Sequence, residues 1–228
     1  MSIRCIYLSL GAVGNVGKTT VARHVLAPGA KAEVRTVETR SGDGAGAIAS
    51  GELVAYLFSP PPEGAVIDIG VGDTADALAA LTLVGRQDSS LPARLRIVVP
   101  MLGDAKSVAG LRWLLGQLPD GLCPVVRACW NRVRRREPIR EDLVRAIRAV
   151  LKTTGAMLCS SMLHESSLFD PSHPLVRTYG SVAAVAAIPD EQIRAASLGD
   201  MPALLSARDA AQAAVANCRE VFAAIGDQ

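Results

Sequence analysis

A glycine-rich stretch near the amino end of the chain has the residue types of a phosphate-binding loop. Residues 11–20 read GAVGNVGKTT, so a lysine and a threonine directly follow Gly17. Such loops use glycines where the backbone bends around an anion, a lysine to reach the β- and γ-phosphates, and a hydroxyl to bind Mg²⁺. Ala12 stands where the usual pattern has its first glycine, so the match is to the relaxed form. The stretch predicts a nucleoside triphosphate site.

Each residue of this loop has a predicted part in binding ATP and Mg²⁺. Lys18 is predicted to bridge the β- and γ-phosphates, Thr19 to bind Mg²⁺, and Thr20 to lie near the α-phosphate. The alternative is a glycine turn with an unrelated lysine, but the stretch follows a predicted strand and precedes a predicted helix, as phosphate loops do. The backbone N–H groups predicted to face the phosphates are those of Gly14, Asn15, Val16 and Gly17.

Carboxylates at two predicted strand ends complete the expected site. Asp68 closes an apolar run and is predicted to hold Mg²⁺, directly or through water, while Gly70 allows close approach of the backbone to the γ-phosphate. Glu38 ends the second predicted strand and is a candidate to orient the attacking water or to hold Mg²⁺. Asp43, in the loop that follows, competes for that role. The predicted catalytic set is Lys18, Glu38 and Asp68. The alternatives are a helix cap for Asp68 and solvated loop acids for the other two.

The segment after residue 125 offers a base-binding residue and a basic cluster. Asn131 and Arg132 follow a predicted strand, and an asparagine amide can both donate to and accept from the edge of adenine. A turn-forming asparagine is the alternative. Arg134–Arg136 form the centre of the cluster, which fits a DNA, acidic-partner or phosphate contact as well as a solvated basic loop.

Strand and helix signals alternate along the chain, which predicts an α/β fold. We expect a mostly parallel twisted sheet with helices on both faces, in which strand ends collect the site residues at one edge. The helix after the loop is expected to span Lys18–Leu26 and to stop at Pro28 and Gly29. Further predicted helices cover residues 47–58, 75–84, 107–118 and 140–152, and predicted strands cover 3–10, 32–38, 65–69, 95–99, 122–130 and 155–160.

Length and composition suit one domain over residues 1–228, half of whose residues are apolar. The apolar spacing of residues 201–225 predicts a helix docked on that domain, with a membrane-surface helix as the less favoured alternative. The net charge of +2 does not by itself point to nucleic acid. The five cysteines form no C-x-x-C pair, so reduced thiols in a cytoplasm are expected. No transmembrane segment is expected. The three histidines, His24 among them, are expected in surface or packing roles.

Three stretches resemble StbB-type plasmid stability ATPases, within the broader ParA/MinD class of P-loop ATPases. They are GNVGKTTVARHVLAP, VIDIG and the WN that ends a predicted strand. The resemblance implies a cytoplasmic, slow ATPase that dimerises with ATP and works in plasmid maintenance or conjugative transfer beside a DNA-binding partner protein. It places Lys18, Thr19, Thr20, Asp68 and Asn131 at nucleotide-site positions, and SSMLHESSLF (160–169) beside the adenine.

Some class features differ in this chain, which leaves other functions open. Ala12 replaces a lysine that in the class reaches across the dimer, and Glu38 and Arg40 stand where the class has its strand-end and water-orienting acids. These departures bear on the hydrolysis of ATP more than on its binding. The alternatives are a small-molecule kinase or ligase of the same fold and a non-hydrolysing nucleotide-binding scaffold.

Overall fold

Runs of buried Val, Ile and Leu form a parallel β-sheet at the centre of the molecule. The computed structural model of the chain describes residues 5–37, 47–48, 50–61, 64–131, 139–197 and 199–226. In this part of the chain the sheet has seven strands in the order β3-β2-β4-β1-β5-β6-β7, and all neighbouring pairs are parallel. The strands are β1 (Ile6–Ser9), β2 (Val34–Val37), β3 (Ala47–Ile48), β4 (Ala65–Ile69), β5 (Leu95–Met101), β6 (Val126–Trp130) and β7 (Met157–Leu158).

Successive residues of a strand point to opposite sides of the sheet. Both sides of this sheet are apolar, so helices cover both faces. In β1, Ile6 and Leu8 belong to one apolar core, whereas Tyr7 belongs to a second. In β4, Ile67 faces the first core and Val66 the second. The α/β class with a parallel sheet and helices on both faces is therefore confirmed.

The helices divide between these two cores. The first core packs against α3 (Ser50–Phe58), α4 (Thr74–Gln87), α5 (Leu91–Arg94), α6 (Ala105–Gln117) and α7 (Glu141–Thr154). The second packs against α1 (Lys18–Val21), a π-helical turn (Ala22–Leu26), α2 (Ala27–Ala30), α8 (Pro174–Tyr179), α9 (Val182–Ala186), α10 (Asp190–Arg194) and α11 (Met201–Gly226). Shorter 3₁₀ turns cover Val71–Asp73, Asp120–Val125 and Ser167–Phe169.

The long carboxy-terminal helix α11 packs on the second core. Its buried residues are Ala211, Ala214, Cys218, Val221 and Ile225, at the three- and four-residue spacing of one helical face. Neither α11 nor any other helix in the described ranges is long and apolar enough to cross a membrane.

The helix that follows the glycine-rich loop is longer than the sequence predicts. It does not stop at Pro28 and Gly29 but continues through α2 to Ala30. The reason is the π-helical turn Ala22–Leu26, after which α2 begins at Ala27. Pro28 then falls in the first turn of α2, where a helix does not need the missing N–H group.

Other element boundaries also differ from the predicted ones. The predicted helix over residues 47–58 begins at Ser50, because Ala47–Ile48 pairs with β2 as an edge strand. The predicted strand over residues 122–130 begins only at Val126, because Pro124 lies in a 3₁₀ turn before it. The helices α8, α9 and α10 are not among the predicted elements.

A matched pair of glycines tests the packing of α11 on α2. A Cβ at Gly29 would lie 2.3 Å from the ring of Phe222 in α11, whereas one at Gly116 in α6 would meet nothing within 4 Å. Gly29→Ala is expected to lower the free energy of unfolding by about 1–3 kcal/mol, because overpacking outweighs the better helix propensity of alanine. Urea unfolding measures this.

Gly116→Ala is the control and is expected to be neutral or stabilising by up to about 1 kcal/mol. If the two variants shift the free energy of unfolding equally, α11 does not lie against Gly29 as described.

Candidate functional site

The glycine-rich loop connects the end of β1 to the start of α1 through two residues with left-handed backbone. Asn15 has φ 59° and Gly17 has φ 84°, and Gly17 caps the helix that begins at Lys18. Left-handed residues in a short loop turn successive N–H groups toward one side, which makes a concavity that suits an anion. The chain stays helical from residue 18 to residue 30, so its amino end adds a favourable field for negative charge.

The Lys18 side chain folds back over this loop. Its Nζ donates a hydrogen bond to the carbonyl oxygen of Val13 at 3.3 Å, and the residue is only 8% exposed. Burial lowers the pKa of Lys18, and the nearby Asp68 carboxylate acts in the opposite direction. A buried ammonium held by one long hydrogen bond to a neutral carbonyl is incompletely compensated, so this side chain favours an anionic partner.

Thr19 and Asp68 bring a hydroxyl and a carboxylate together beside the loop. The Thr19 Oγ1 donates a hydrogen bond to the Asp68 Oδ2 at 2.6 Å. Asp68 is 4% exposed and lies in β4 directly opposite Ser9 of β1 in the register of the sheet. The Ser9 hydroxyl in turn donates to the backbone carbonyl of Lys18 at 3.0 Å, which fixes the first helical turn against the strand. Hydroxyl and carboxylate oxygens are the hard ligands that Mg²⁺ prefers.

The side chain of Asn131 holds the glycine-rich loop in place. It lies at the end of β6 with 2% exposure, and its Nδ2 donates a hydrogen bond to the Val16 carbonyl oxygen at 2.8 Å. The same nitrogen would lie only 1.8 Å from a Cβ at Gly17. Position 17 therefore needs glycine for two reasons, its positive φ and the close approach of Asn131. The contact of Asn131 with adenine stays a prediction, and this structure shows the amide holding the loop.

Gly70 lies where the chain leaves β4, next to the same site. Its N–H donates to the Val37 carbonyl oxygen at 3.2 Å, so this donor already has a protein partner. A Cβ at Gly70 would lie 2.6 Å from the Asp73 Oδ2 and 3.3 Å from the Val37 carbonyl oxygen, so glycine avoids close contacts at this position. The Thr74 hydroxyl lies 3.3 Å from the Gly11 carbonyl oxygen and connects this turn to the start of the loop.

These residues surround a cavity of about 320 Å³ at the carboxyl ends of the strands. Parallel sheets bind ligands at this edge. The ligand lies where the connections that follow two neighbouring strands run in opposite directions across the sheet. Here β1 lies between β4 and β5, and the loop leaves β1 at that point. The predicted residues that line the cavity are Asn15, Gly17, Lys18, Thr19, Thr20, Asp68, Gly70 and Asn131.

The remaining predicted residues either do not line this cavity or lie outside the residues that the structure describes. Gly14 lies in the loop but not in the cavity lining, and Val16 turns a buried side chain inward. Glu38, Asp43, Arg132 and Arg134–Arg136 lie outside the described residues.

The cavity also includes residues that the sequence reasoning missed. Thr36 lies opposite Asp68 in the pairing of β2 with β4, and Leu102 follows the end of β5. Both are at carboxyl ends of strands, which is the only signal the sequence contains. Using that signal requires the strand order, and the order is not readable from the local pattern.

Comparison with known proteins adds no relative: no family model matches the chain, and a search of curated proteins finds no match. What this site binds is therefore inferred from its residues and their geometry.

A double-mutant cycle tests the contact between Asn131 and Gly17. Gly17→Ala is expected to cost more than about 2 kcal/mol in the free energy of unfolding, from positive φ and the clash with Asn131. Asn131→Ala is expected to cost about 1–3 kcal/mol, because the Val16 carbonyl loses its buried donor. The double variant should cost at least about 1 kcal/mol less than the sum, since the clash disappears with the amide.

Urea unfolding of the four proteins measures the cycle. Strict additivity of the two single effects would show that the side chain of Asn131 is not in contact with Gly17.

Proposed function

We propose that this chain binds ATP with Mg²⁺ in the strand-end cavity and acts as a nucleotide-dependent switch. The observation that carries the proposal is the 2.6 Å hydrogen bond from Thr19 to Asp68, beside the buried Lys18. A carboxylate that ends a buried strand, next to the hydroxyl that follows the loop lysine, is the donor set that a Mg²⁺–triphosphate requires.

The residues present fit a triphosphate and its metal ion. Thr19 and Asp68 would hold Mg²⁺, and the loop N–H groups with Lys18 would hold the phosphates. When bound, the metal ion supplies positive charge that offsets the charge on the β- and γ-phosphates. Lys18 is expected to exchange the Val13 carbonyl for a phosphate oxygen, which restores a charged partner to a buried ammonium.

Hydrolysis of ATP requires a further residue, one that orients the attacking water. Asp68 and Lys18 position the phosphates, but the candidate for orienting the attacking water is Glu38, which lies outside the described residues. We therefore propose slow hydrolysis as the second part of the switch, with Glu38 as its catalytic acid. Nucleotide binding does not depend on this part.

The biological setting that we propose is plasmid stability, segregation or conjugative transfer in a cytoplasm, together with a DNA-binding partner protein. It rests on the resemblance to StbB-type and ParA/MinD ATPases in the loop, in VIDIG and at Asn131.

An ATP-dependent homodimer is part of this proposal. Val71 and Trp113 support it, because they are 44% and 46% exposed and line a shallow depression on the outer side of the loop. Val71 also lines the nucleotide cavity, so this apolar surface and the nucleotide are adjacent.

Lys18→Ala is expected to weaken ATP binding in the presence of Mg²⁺ by about 100-fold or more, through loss of the charge-assisted phosphate contact. Isothermal titration calorimetry measures the affinity. Lys152→Ala, an exposed lysine of α7, is the control and should bind like the wild type. Thr19→Ala should retain binding but lose most of the gain that Mg²⁺ gives. An unchanged affinity in Lys18→Ala would remove the nucleotide proposal.

Light scattering with and without ATP and Mg²⁺ tests the switch. The 23.8 kDa chain is expected to double in mass with ATP, and Trp113→Glu should prevent this doubling while the monomer still binds ATP. Leu83→Glu is the matched control, because Leu83 is equally exposed at 46%. It lies on α4, outside the lining of the nucleotide cavity and of the depression around Trp113. A constant oligomer that consumes ATP only with an added metabolite would favour a small-molecule kinase or ligase. Binding without any turnover would favour a scaffold.

Direct contact with DNA through Arg134–Arg136 is a separate prediction. Replacing the three arginines with glutamine should abolish a salt-dependent mobility shift with duplex DNA, because each phosphate contact contributes to the salt dependence. A shift that survives the replacement would exclude this cluster as the DNA contact.

A further inference from the structure

A second cavity, of about 590 Å³, lies beside the later part of the helix that begins at the phosphate loop. It is bounded by the π-helical turn and α2, by α9 and by α11. Its volume falls within the range of about 300–1,000 Å³ that is usual for small-molecule sites. None of the described residues that line it also lines the nucleotide cavity. The two cavities therefore lie on the same helix but share no wall.

Aromatic and aliphatic side chains form the interior of this second cavity. Phe169 and Phe222 line it together with Val182 and Val215. The Phe222 ring packs on Tyr7 with the centroids 5.4 Å apart, which fixes that wall against β1. Such a lining is suited to the apolar part of a ligand, because burial of apolar surface drives its binding.

Basic residues supply the charge at this cavity. Arg23, Lys31 and Arg219 line it, and among the residues that the structure describes no aspartate or glutamate does. All three are exposed, and within the described part of the chain none of them forms an ion pair. Three cations therefore lie at the rim of an apolar cavity, with no described acid among them. Such a rim is complementary to one anionic group on a ligand.

The π-helical turn brings this arrangement about. Arg23, His24 and Val25 are consecutive residues of the turn, and all three line the cavity. Turns of this kind are rare and frequently occur at functional sites. The His24 ring lies 4.9 Å from the Phe169 ring, centroid to centroid, and burial followed by the charge of Arg23 lowers the pKa of His24. At neutral pH the positive charge therefore comes from the arginines and the lysine.

We propose that this second cavity binds an amphipathic organic anion. The apolar chain of the ligand lies between Phe169 and Phe222. Its carboxylate or phosphate group lies at the rim, among Arg23, Lys31 and Arg219. The proposal does not depend on nucleotide binding, because no residue of the phosphate loop lines the cavity.

Isothermal titration calorimetry with the full chain tests the proposal, without nucleotide and in phosphate-free buffer. Decanoate and decyl phosphate are the probes for the two anionic groups, and decanol is the uncharged control. At least one anion is expected to bind saturably at one site and about tenfold more tightly than decanol. Hexanoate should bind at least tenfold more weakly than decanoate, because four methylenes leave the cavity.

Paired variants locate the binding. Arg23→Gln with Arg219→Gln is expected to weaken the anion about tenfold and leave decanol unaffected. Arg86→Gln with Arg112→Gln, two exposed arginines on the other face of the sheet, is the matched control and should change nothing. Ala223→Trp, at an exposed alanine of the cavity lining, should abolish binding by filling the space. Circular dichroism checks that this variant folds, and the charge variants test the site without it.

Several results would overturn the proposal: no saturable binding of either anion up to millimolar concentration, decanol binding as tightly as the anions, or equal weakening by both arginine pairs. Binding of decanoate alone or of decyl phosphate alone identifies the anionic group. Loss of ATP binding in Lys18→Ala with intact anion binding would show that the two sites are independent.

Discussion

The hydrogen bond between Thr19 and Asp68 is the contact on which the proposed nucleotide site depends. It exists because two separate constraints meet. The pairing of β1 with β4 places Asp68 opposite Ser9, and the loop returns the chain so that Thr19 follows in the first helical turn. In a parallel sheet, a shift of one residue in this register would move Asp68 to the other face. The buried Ile and Val residues of β4 oppose such a shift, since it would also exchange the residues that face the two cores.

The parts of this site that the sequence predicts are those with a local signal. A loop of glycines followed by Lys18 and Thr19 identifies itself, and the apolar run of β4 has the predicted bounds, Ala65–Ile69. Asp68 is predicted as its partner because buried parallel strands place their carboxyl ends at one edge. The contact of Asn131 with the Val16 carbonyl was not predicted, since it joins residues 115 positions apart and depends on strand order.

Other features lie beyond sequence reasoning for different physical reasons. Pro28 and Gly29 normally end a helix, but the π-helical turn shifts the register so that Pro28 falls where a proline is tolerated. The short helices between residues 174 and 194 contain too few turns to show a helical period, and their stability comes from packing on the second core. The second cavity depends on this packing, so it has no signature in the sequence. Its basic residues are separated along the chain and come together only when α2 and α11 meet.

In the proposed site, Thr19 and Asp68 hold the metal ion of a bound triphosphate. A crystal structure grown with a non-hydrolysable ATP analogue and Mn²⁺ tests it most directly, because Mn²⁺ gives an anomalous signal at the metal position. We expect one anomalous peak beside the Thr19 hydroxyl and the Asp68 carboxylate, with Lys18 turned from Val13 to the phosphates. A nucleotide bound elsewhere, or a peak remote from both oxygens, would show that Thr19 and Asp68 do not form the metal site.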